Sequence, residues 1–162
     1  MLHLRITDIR KFTELLFTRD TFDRFLLHDA SFYTACTYSV EGEINKEYFG
    51  EDEKEAPANS FISWEEIRPL AMKIIAGKKL PLSFRIVLLT DRKSTDAMVM
   101  GSGFTGCPVT SLSMNIVYKN SELTLTTGVS YNGFSMDKSL ENYWDENLTR
   151  FLNRKECAFE TM

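Results

Sequence analysis

The chain has 162 residues, of which 43% are hydrophobic and 26% charged, with 8 glycines and 4 prolines, a composition typical of one globular domain rather than a disordered or fibrous chain. The formal net charge is −4 and lysine and arginine cluster at most as adjacent pairs, which argues against a nucleic-acid binder with a broad basic face. Charges interrupt the N-terminal segment and no apolar run is long enough to span a membrane, so we expect a cytoplasmic protein with reduced cysteines and no membrane partner.

The N-terminal part of the chain predicts a strand, a helix and a hairpin. Apolar residues alternate over 2–6, which favours a short strand, and then repeat at helical spacing over 8–17. The aromatic and β-branched content that follows predicts strands at 31–40 and 43–49. Gly42 lies between these two strands, where a tight turn would favour glycine.

The central part predicts a loop, a second helix and a strand. Residues 50–60 are acidic and rich in turn formers, which indicates a mobile loop. Ser63 and Glu66 have the spacing of a capping box, so a helix should begin there and continue to about residue 75. Alternating apolar residues predict a strand over 82–90.

The C-terminal half predicts a second hairpin and a final helix. A short helix is expected at 91–100, and strands at 111–119 and 122–131 should join through Asn120 and Ser121. The remaining expectations are a short strand from Phe134, a last helix capped by Asp137 or Ser139 and a frayed tail at 157–162.

These elements predict one domain spanning residues 1–162. Its fold class should be α+β, with a mainly antiparallel sheet of about six strands packed with three main helices.

The segment 101–108 reads GSGFTGCP, and its first six residues fit the G-x-G-x-x-G spacing of phosphate-binding turns. A dinucleotide turn needs a helix that begins at the last glycine, whereas Gly106 is followed by strand-like residues. No Walker lysine or kinase motif accompanies the segment. We therefore expect a mobile or bent connection between sheet elements rather than a nucleotide site.

No catalytic residue, metal ligand set or cofactor motif stands out. His3 and His28 are the only histidines, and no G-x-S-x-G motif exposes a serine for a catalytic triad. A thiolate pair of Cys36 with His28 is conceivable, but the strand pattern around Cys36 favours a buried, inert thiol. Paired acidic residues have structural explanations in loops and helix starts.

One stretch remains a candidate ligand-binding surface. Hydroxyl and aromatic residues alternate in SFYTACTYS, and a polar pair precedes it. The pattern favours a helix-covered or solvated sheet face over a ligand-binding surface. The candidate ligand-binding residues are His28, Asp29, Tyr33 and Thr37.

Three blocks together resemble an uncharacterised bacterial protein family, a domain of unknown function of about 160 residues. They are FDRFLLHDASFYTACTYSVEGEINKEYF, SWEEIRPLAMKIIAGKKLPLSFRIVL, and TLTTGVS with FSMDKSLENYWDE. The resemblance implies a stand-alone cytosolic protein and transfers no activity or site residue.

The function therefore stays open between three classes. The sequence favours a non-enzymatic protein that acts through protein contact or self-association, by a sheet edge or an aromatic face. Small-ligand binding or enzymatic activity near residues 28–39 is an alternative. A third is a nucleic-acid-related role, because the order of strand, helix and antiparallel strands, with a partial echo after residue 63, is similar to the repeating unit of DNA sliding clamps.

Overall fold

The computed structural model describes residues 1–50 and 58–162, so most of the predicted acidic loop at 50–60 lies outside the described residues. Within these ranges the chain forms four α-helices and seven strands. In chain order these are β1 (His3–Ile6), α1 (Ile9–Thr13), β2 (Leu26–Tyr33), β3 (Thr37–Glu41), α2 (Trp64–Ile75), β4 (Ser83–Leu89), α3 (Arg92–Ser102), β5 (Val109–Lys119), β6 (Glu122–Tyr131), α4 (Ser139–Arg154) and β7 (Phe159–Thr161).

All seven strands belong to one sheet with the order β3-β2-β4-β5-β6-β1-β7, and every neighbouring pair is antiparallel. The predicted α+β class and antiparallel sheet are confirmed. The expected six strands and three main helices are each one too few. β7 was taken for a frayed end and α3 for a minor element, while β2 and β3 replace the predicted strands at 31–40 and 43–49.

The core lies on one face of this sheet. Alternate residues of the central strands point into a single cluster that also contains the apolar sides of α1, α2 and α4. Each large apolar side chain buried there contributes about 1.5–3 kcal/mol to stability. The opposite face carries many short polar side chains, among them Ser31, Ser39, Ser83, Ser113, Thr124 and Thr126. Within residues 1–50 and 58–162, helices therefore cover one side of the sheet and leave the other uncovered.

The first helix changes its winding within the predicted 8–17 segment. Asp8 caps α1 through its carboxylate, which accepts a hydrogen bond from the backbone N–H of Lys11 at 3.0 Å. A π-helix (Glu14–Thr18) continues from α1, and the wider turn is closed by the N–H of Arg19 donating to the carbonyl of Glu14. The indole N–H of Trp64 donates to the carbonyl of Leu16 at 2.9 Å, which fixes this turn against α2.

The first hairpin differs from the prediction. The turn lies at 34–36, where the N–H of Thr34 donates to the carbonyl of Cys36, and no strand forms at 43–49. Gly42 does not serve the turn. Its backbone N–H donates to the carbonyl of His28 at 2.9 Å, and a Cβ on Gly42 would lie 1.7 Å from the carbonyl oxygen of Leu27. This glycine is required by a close approach between two backbone segments.

Gly42 lies beside a bulge that positions the neighbouring side chains. β2 gains one residue relative to β4 between Leu27 and Asp29, so His28 is the extra residue. Beyond it, Leu27 donates its N–H to the carbonyl of Ile62 instead of pairing with β3, and the N–H of Ile62 donates to the carbonyl of Gly42. The segment around Ile62 therefore replaces β3 as the neighbour of β2 at this end.

Three further segments differ from expectation. Gly101 and Ser102 form the end of α3 rather than a connection, with Gly103 in the left-handed conformation at φ 72° as its C-cap. Residues after Asn132 turn away without the strand expected from Phe134. The tail instead supplies β7, which pairs with β1 through Leu4 and Thr161. The expected mobility of the glycine-rich segment 101–108 remains a prediction.

The similarity to sliding clamps extends to element order but not to strand pairing. The order strand, helix, two strands occurs as β1 to β3 and again as β4 to β6. β1 lies between β6 and β7, far from β2, whereas β4 lies directly between β2 and β5. The two segments thus do not repeat one pairing unit.

Within the described ranges, no helix combines the length and the apolarity needed to cross a membrane.

The predicted β5–β6 hairpin is confirmed, and its turn generates the first prediction. Asn120 and Ser121 both have positive φ, 52° and 62°, as a type I′ turn requires. Serine is strained in this region, so Ser121→Gly should raise the free energy of unfolding by about 0.5–1 kcal/mol. Urea denaturation measures this change in the free energy of unfolding. Asn120→Gly should raise the free energy of unfolding by less, because asparagine tolerates positive φ. A loss of stability in Ser121→Gly would contradict the argument.

The close approach of Gly42 generates the second prediction. Gly42→Ala should lower the free energy of unfolding by about 3 kcal/mol, because the added methyl group forces two backbone segments apart. Gly77→Ala is the matched control, since the nearest atom to its Cβ would lie 3.7 Å away, and it should change stability by less than about 0.5 kcal/mol. Equal unfolding midpoints in urea for the two variants would refute the steric explanation.

Candidate functional site

Two of the predicted ligand-binding residues form a polar cluster at the β2 bulge. His28 Nδ1 lies 2.6 Å from Asp29 Oδ2, and the guanidinium of Arg85 on β4 donates to Asp29 Oδ1 at 2.8 Å. The imidazole of His28 also stacks on Phe61, with ring centroids 5.2 Å apart. Arg85, 56 residues from Asp29 in sequence, escaped the sequence argument because only the β2–β4 pairing brings it here.

Three residues of this cluster, His28, Asp29 and Phe61, line a concave region of about 540 Å³ on the uncovered face of the sheet. Ser31 and Ser39, which face each other across β2 and β3, add hydroxyl groups, and Glu41 and Glu43 add carboxylates. The region therefore offers hydrogen-bond donors and acceptors together with one aromatic surface. Chemically, this set suits the recognition of a polar ligand.

The other two predicted residues lie elsewhere on the same strands. Tyr33 and Thr37 face each other at the opposite end of the β2–β3 pair, next to the turn, and both are exposed. They do not line the concave region of His28. The structure thus divides the four candidates into two separate pairs.

The cysteines do not form a site with the histidines. Cys36, expected to be buried within a strand, is exposed in the turn at 34–36, because the chain reverses there. It is not among the residues around His28. Burial raises the pKa of Cys157 to about 11. In the part of the chain that the structure describes, no three His, Cys, Asp or Glu side chains are grouped as metal ligands would be.

The glycine-rich segment is not built as a phosphate-binding turn. α3 ends within it at Ser102 and β5 follows it, so no helix begins at Gly106 to direct free N–H groups at a phosphate. Phe104 within the segment is buried and packs against Tyr131 at 5.5 Å between ring centroids. Its glycines thus serve the end of a helix and local packing.

The outer edge of β3 is a second candidate surface. β3 is the last strand of the sheet order, and within residues 1–50 and 58–162 no strand pairs with it beyond β2. Four of its five residues are exposed, from Thr37 to Ser39 and at Glu41. Sequence analysis anticipated an interacting edge without identifying the strand.

A third candidate surface is an apolar groove that sequence analysis missed. It has a volume of about 430 Å³ and lies between α1, the end of α2 and the first residues of β4. Its lining includes Phe17, Ile75, Leu80 and Phe84. The sequence carries one signal for it, the two leucines Leu80 and Leu82 in the connection after α2, which the structure leaves 82% and 75% exposed.

Comparisons with known proteins place the chain in a family without assigning it an activity. A sequence profile of a family of unknown function, DUF5721, matches residues 15–160. No curated protein and no solved structure matches the chain. Because the profile match covers nearly the whole length, as the resemblance implied, the chain belongs to the DUF5721 family of unknown function.

Proposed function

We propose that this protein acts through protein contact, and that the contact is a two-fold pairing of β3 with β3 of a second copy. The observation that carries the proposal is the outer edge of β3, which is exposed and lacks the usual protection against pairing. The pairing would join two seven-stranded sheets into one continuous sheet.

Natural proteins protect sheet edges with very short strands, lysine, proline or bulges. The opposite edge strand, β7, follows this rule because it has only three residues. β3 has five residues, TYSVE, with no lysine and no proline, and its register with β2 is regular. In the part of the chain that the structure describes, its outer backbone groups pair with no other strand and can therefore accept one.

The sequence of β3 is self-complementary in an antiparallel pair centred on Ser39. In that register Tyr38 faces Val40 of the second copy, and Thr37 faces its Glu41. Aromatic and β-branched residues stabilise each other across strands, and no like charges meet. Because the dimer is two-fold symmetric, it contains each of these favourable contacts twice.

An apolar strip beside the edge would be covered by the same contact. Tyr38 is 43% exposed, and Leu70 on α2 is 48% exposed. Leu70 lies on the helix stripe between Ile67 and Ile74. Ile67 faces Val40 of β3, and Ile74 faces the hairpin turn. A second copy would remove part of this apolar surface from water.

The proposal predicts a dimer with a mass about twice the 18.7 kDa of the chain, measurable by light scattering after size exclusion. Ser39→Lys should raise the dissociation constant of the dimer about fivefold, because two like charges would face each other across the two-fold axis. Ser39→Glu should do the same, and mixing the two variants should restore the dimer because the facing charges become opposite.

Thr161→Lys on β7 is the matched control, since it places the same charge on the other edge of the sheet. It should leave the dimer intact. A wild-type chain that remains at 18.7 kDa across micromolar concentrations would refute the proposal. So would a dimer that Thr161→Lys disrupts and the Ser39 variants do not.

The concave region at the β2 bulge supports ligand binding as a second candidate function, because His28 and Asp29 line it and Arg85 donates a hydrogen bond to Asp29. A ligand present at about 100 times its dissociation constant should stabilise the fold by about 2.7 kcal/mol. A thermal-shift screen with polar metabolites tests it. His28→Ala should abolish the shift and Tyr33→Phe should preserve it, whereas a flat screen with the wild-type protein would argue against the site.

A further inference from the structure

We propose that the apolar groove between α1 and the end of α2 binds a small amphipathic carboxylate, a molecule with a short hydrocarbon chain and one carboxylate group. The site is distinct from both the β3 edge and the polar cluster of His28. Its chemistry follows from the lining, from one cation at its rim and from a preformed aromatic floor.

The lining is predominantly hydrocarbon. Ile9 contributes from α1, Ile75 from the end of α2, and Leu80 and Pro81 from the connection to β4. The volume of about 430 Å³ lies within the usual range for small-molecule sites, which are mostly apolar with few polar groups. A hydrocarbon chain would therefore find contacts along the whole groove.

The polar groups at the groove favour a negative charge. Arg10 lines it, is exposed to solvent and forms no ion pair within residues 1–50 and 58–162. A guanidinium binds a carboxylate through two parallel hydrogen bonds. The hydroxyl of Thr13, also in the lining, already donates to the carbonyl of Ile9 at 2.9 Å. Arg10 is thus the group that would hold the carboxylate.

The floor of the groove consists of closely packed aromatic side chains. Phe17 of the π-helix meets Phe84 edge to face at 5.5 Å, and Phe84 stacks on Tyr118 at 5.3 Å. The hydrogen bond from Trp64 to the carbonyl of Leu16 fixes the neighbouring turn. A preformed site loses little conformational entropy on binding, so the groove needs no rearrangement to accept a ligand.

One exposed side chain marks where a longer ligand would run. Leu80 lines this groove and also a second concave region of about 560 Å³, in which Ile74 and Leu82 lie. A ligand that fills the first groove and crosses Leu80 would cover a side chain that is 82% exposed. Affinity should therefore rise with chain length from hexanoate to decanoate.

The test uses sodium decanoate and the uncharged alcohol decanol, titrated into the full-length protein by calorimetry. Wild-type protein should bind both compounds saturably at one site, and decanoate more tightly. Arg10→Gln should weaken decanoate binding about tenfold and leave decanol binding unchanged, because only the carboxylate uses the guanidinium. Leu80→Asp should weaken the binding of both compounds.

Two variants serve as matched controls. Lys93→Gln removes an exposed cation on α3, and Phe134→Asp replaces an apolar residue that is 86% exposed outside the groove. Both should bind decanoate like the wild type, as should Ser39→Lys. Non-saturable binding would overturn the proposal, as would equal decanoate affinity in Arg10→Gln and Lys93→Gln or equal losses in Leu80→Asp and Phe134→Asp. Circular dichroism confirms that every variant is folded.

Discussion

The free edge of the sheet depends on the contact between the backbone of Gly42 and the carbonyl of Leu27. Only a residue without a side chain can lie there, because a Cβ would come within 1.7 Å of the carbonyl oxygen. The contact lets the N–H of Gly42 reach the carbonyl of the bulged His28 and lets Ile62 take over pairing with Leu27. β3 consequently stops at Glu41, and its outer edge belongs to a regular five-residue strand that pairs with no strand beyond β2 in the described ranges.

The one-sided cover of the sheet determines where surfaces for other molecules can form. Helices bury the apolar face, so the opposite face keeps its short hydroxyl side chains and the polar cluster around Asp29. α2 is central to this arrangement, since Ile67 near its start faces β3 and Ile75 at its end lines the apolar groove. The helix therefore borders two candidate surfaces while its buried side, through Trp64 and Ala71, anchors it to the core.

Local patterns were sufficient for elements whose stabilising contacts are local. The β5–β6 hairpin follows from period-two alternation around Asn120 and Ser121, and α2 and α4 follow from their apolar stripes.

The first turn was misplaced because a glycine that permits close backbone approach has the same local signature as one in a turn. β7 was missed because its partner, β1, lies at the other end of the chain. His28 and Asp29 were found as neighbours in sequence, whereas Arg85 and the groove depend on tertiary contacts.

Several exposed apolar side chains are not explained by the stability of the fold. Tyr38 belongs to β3 and Leu70 lies beside it on α2, and Leu80 and Leu82 lie in the connection after α2. Replacing such exposed residues ordinarily changes stability by no more than about 0.5 kcal/mol, so the core does not need them. Apolar area in water still carries a free-energy cost that another molecule can remove. Because these side chains follow α2 from β3 to the groove, both a second copy and an amphipathic ligand would remove apolar area on the same side of the molecule.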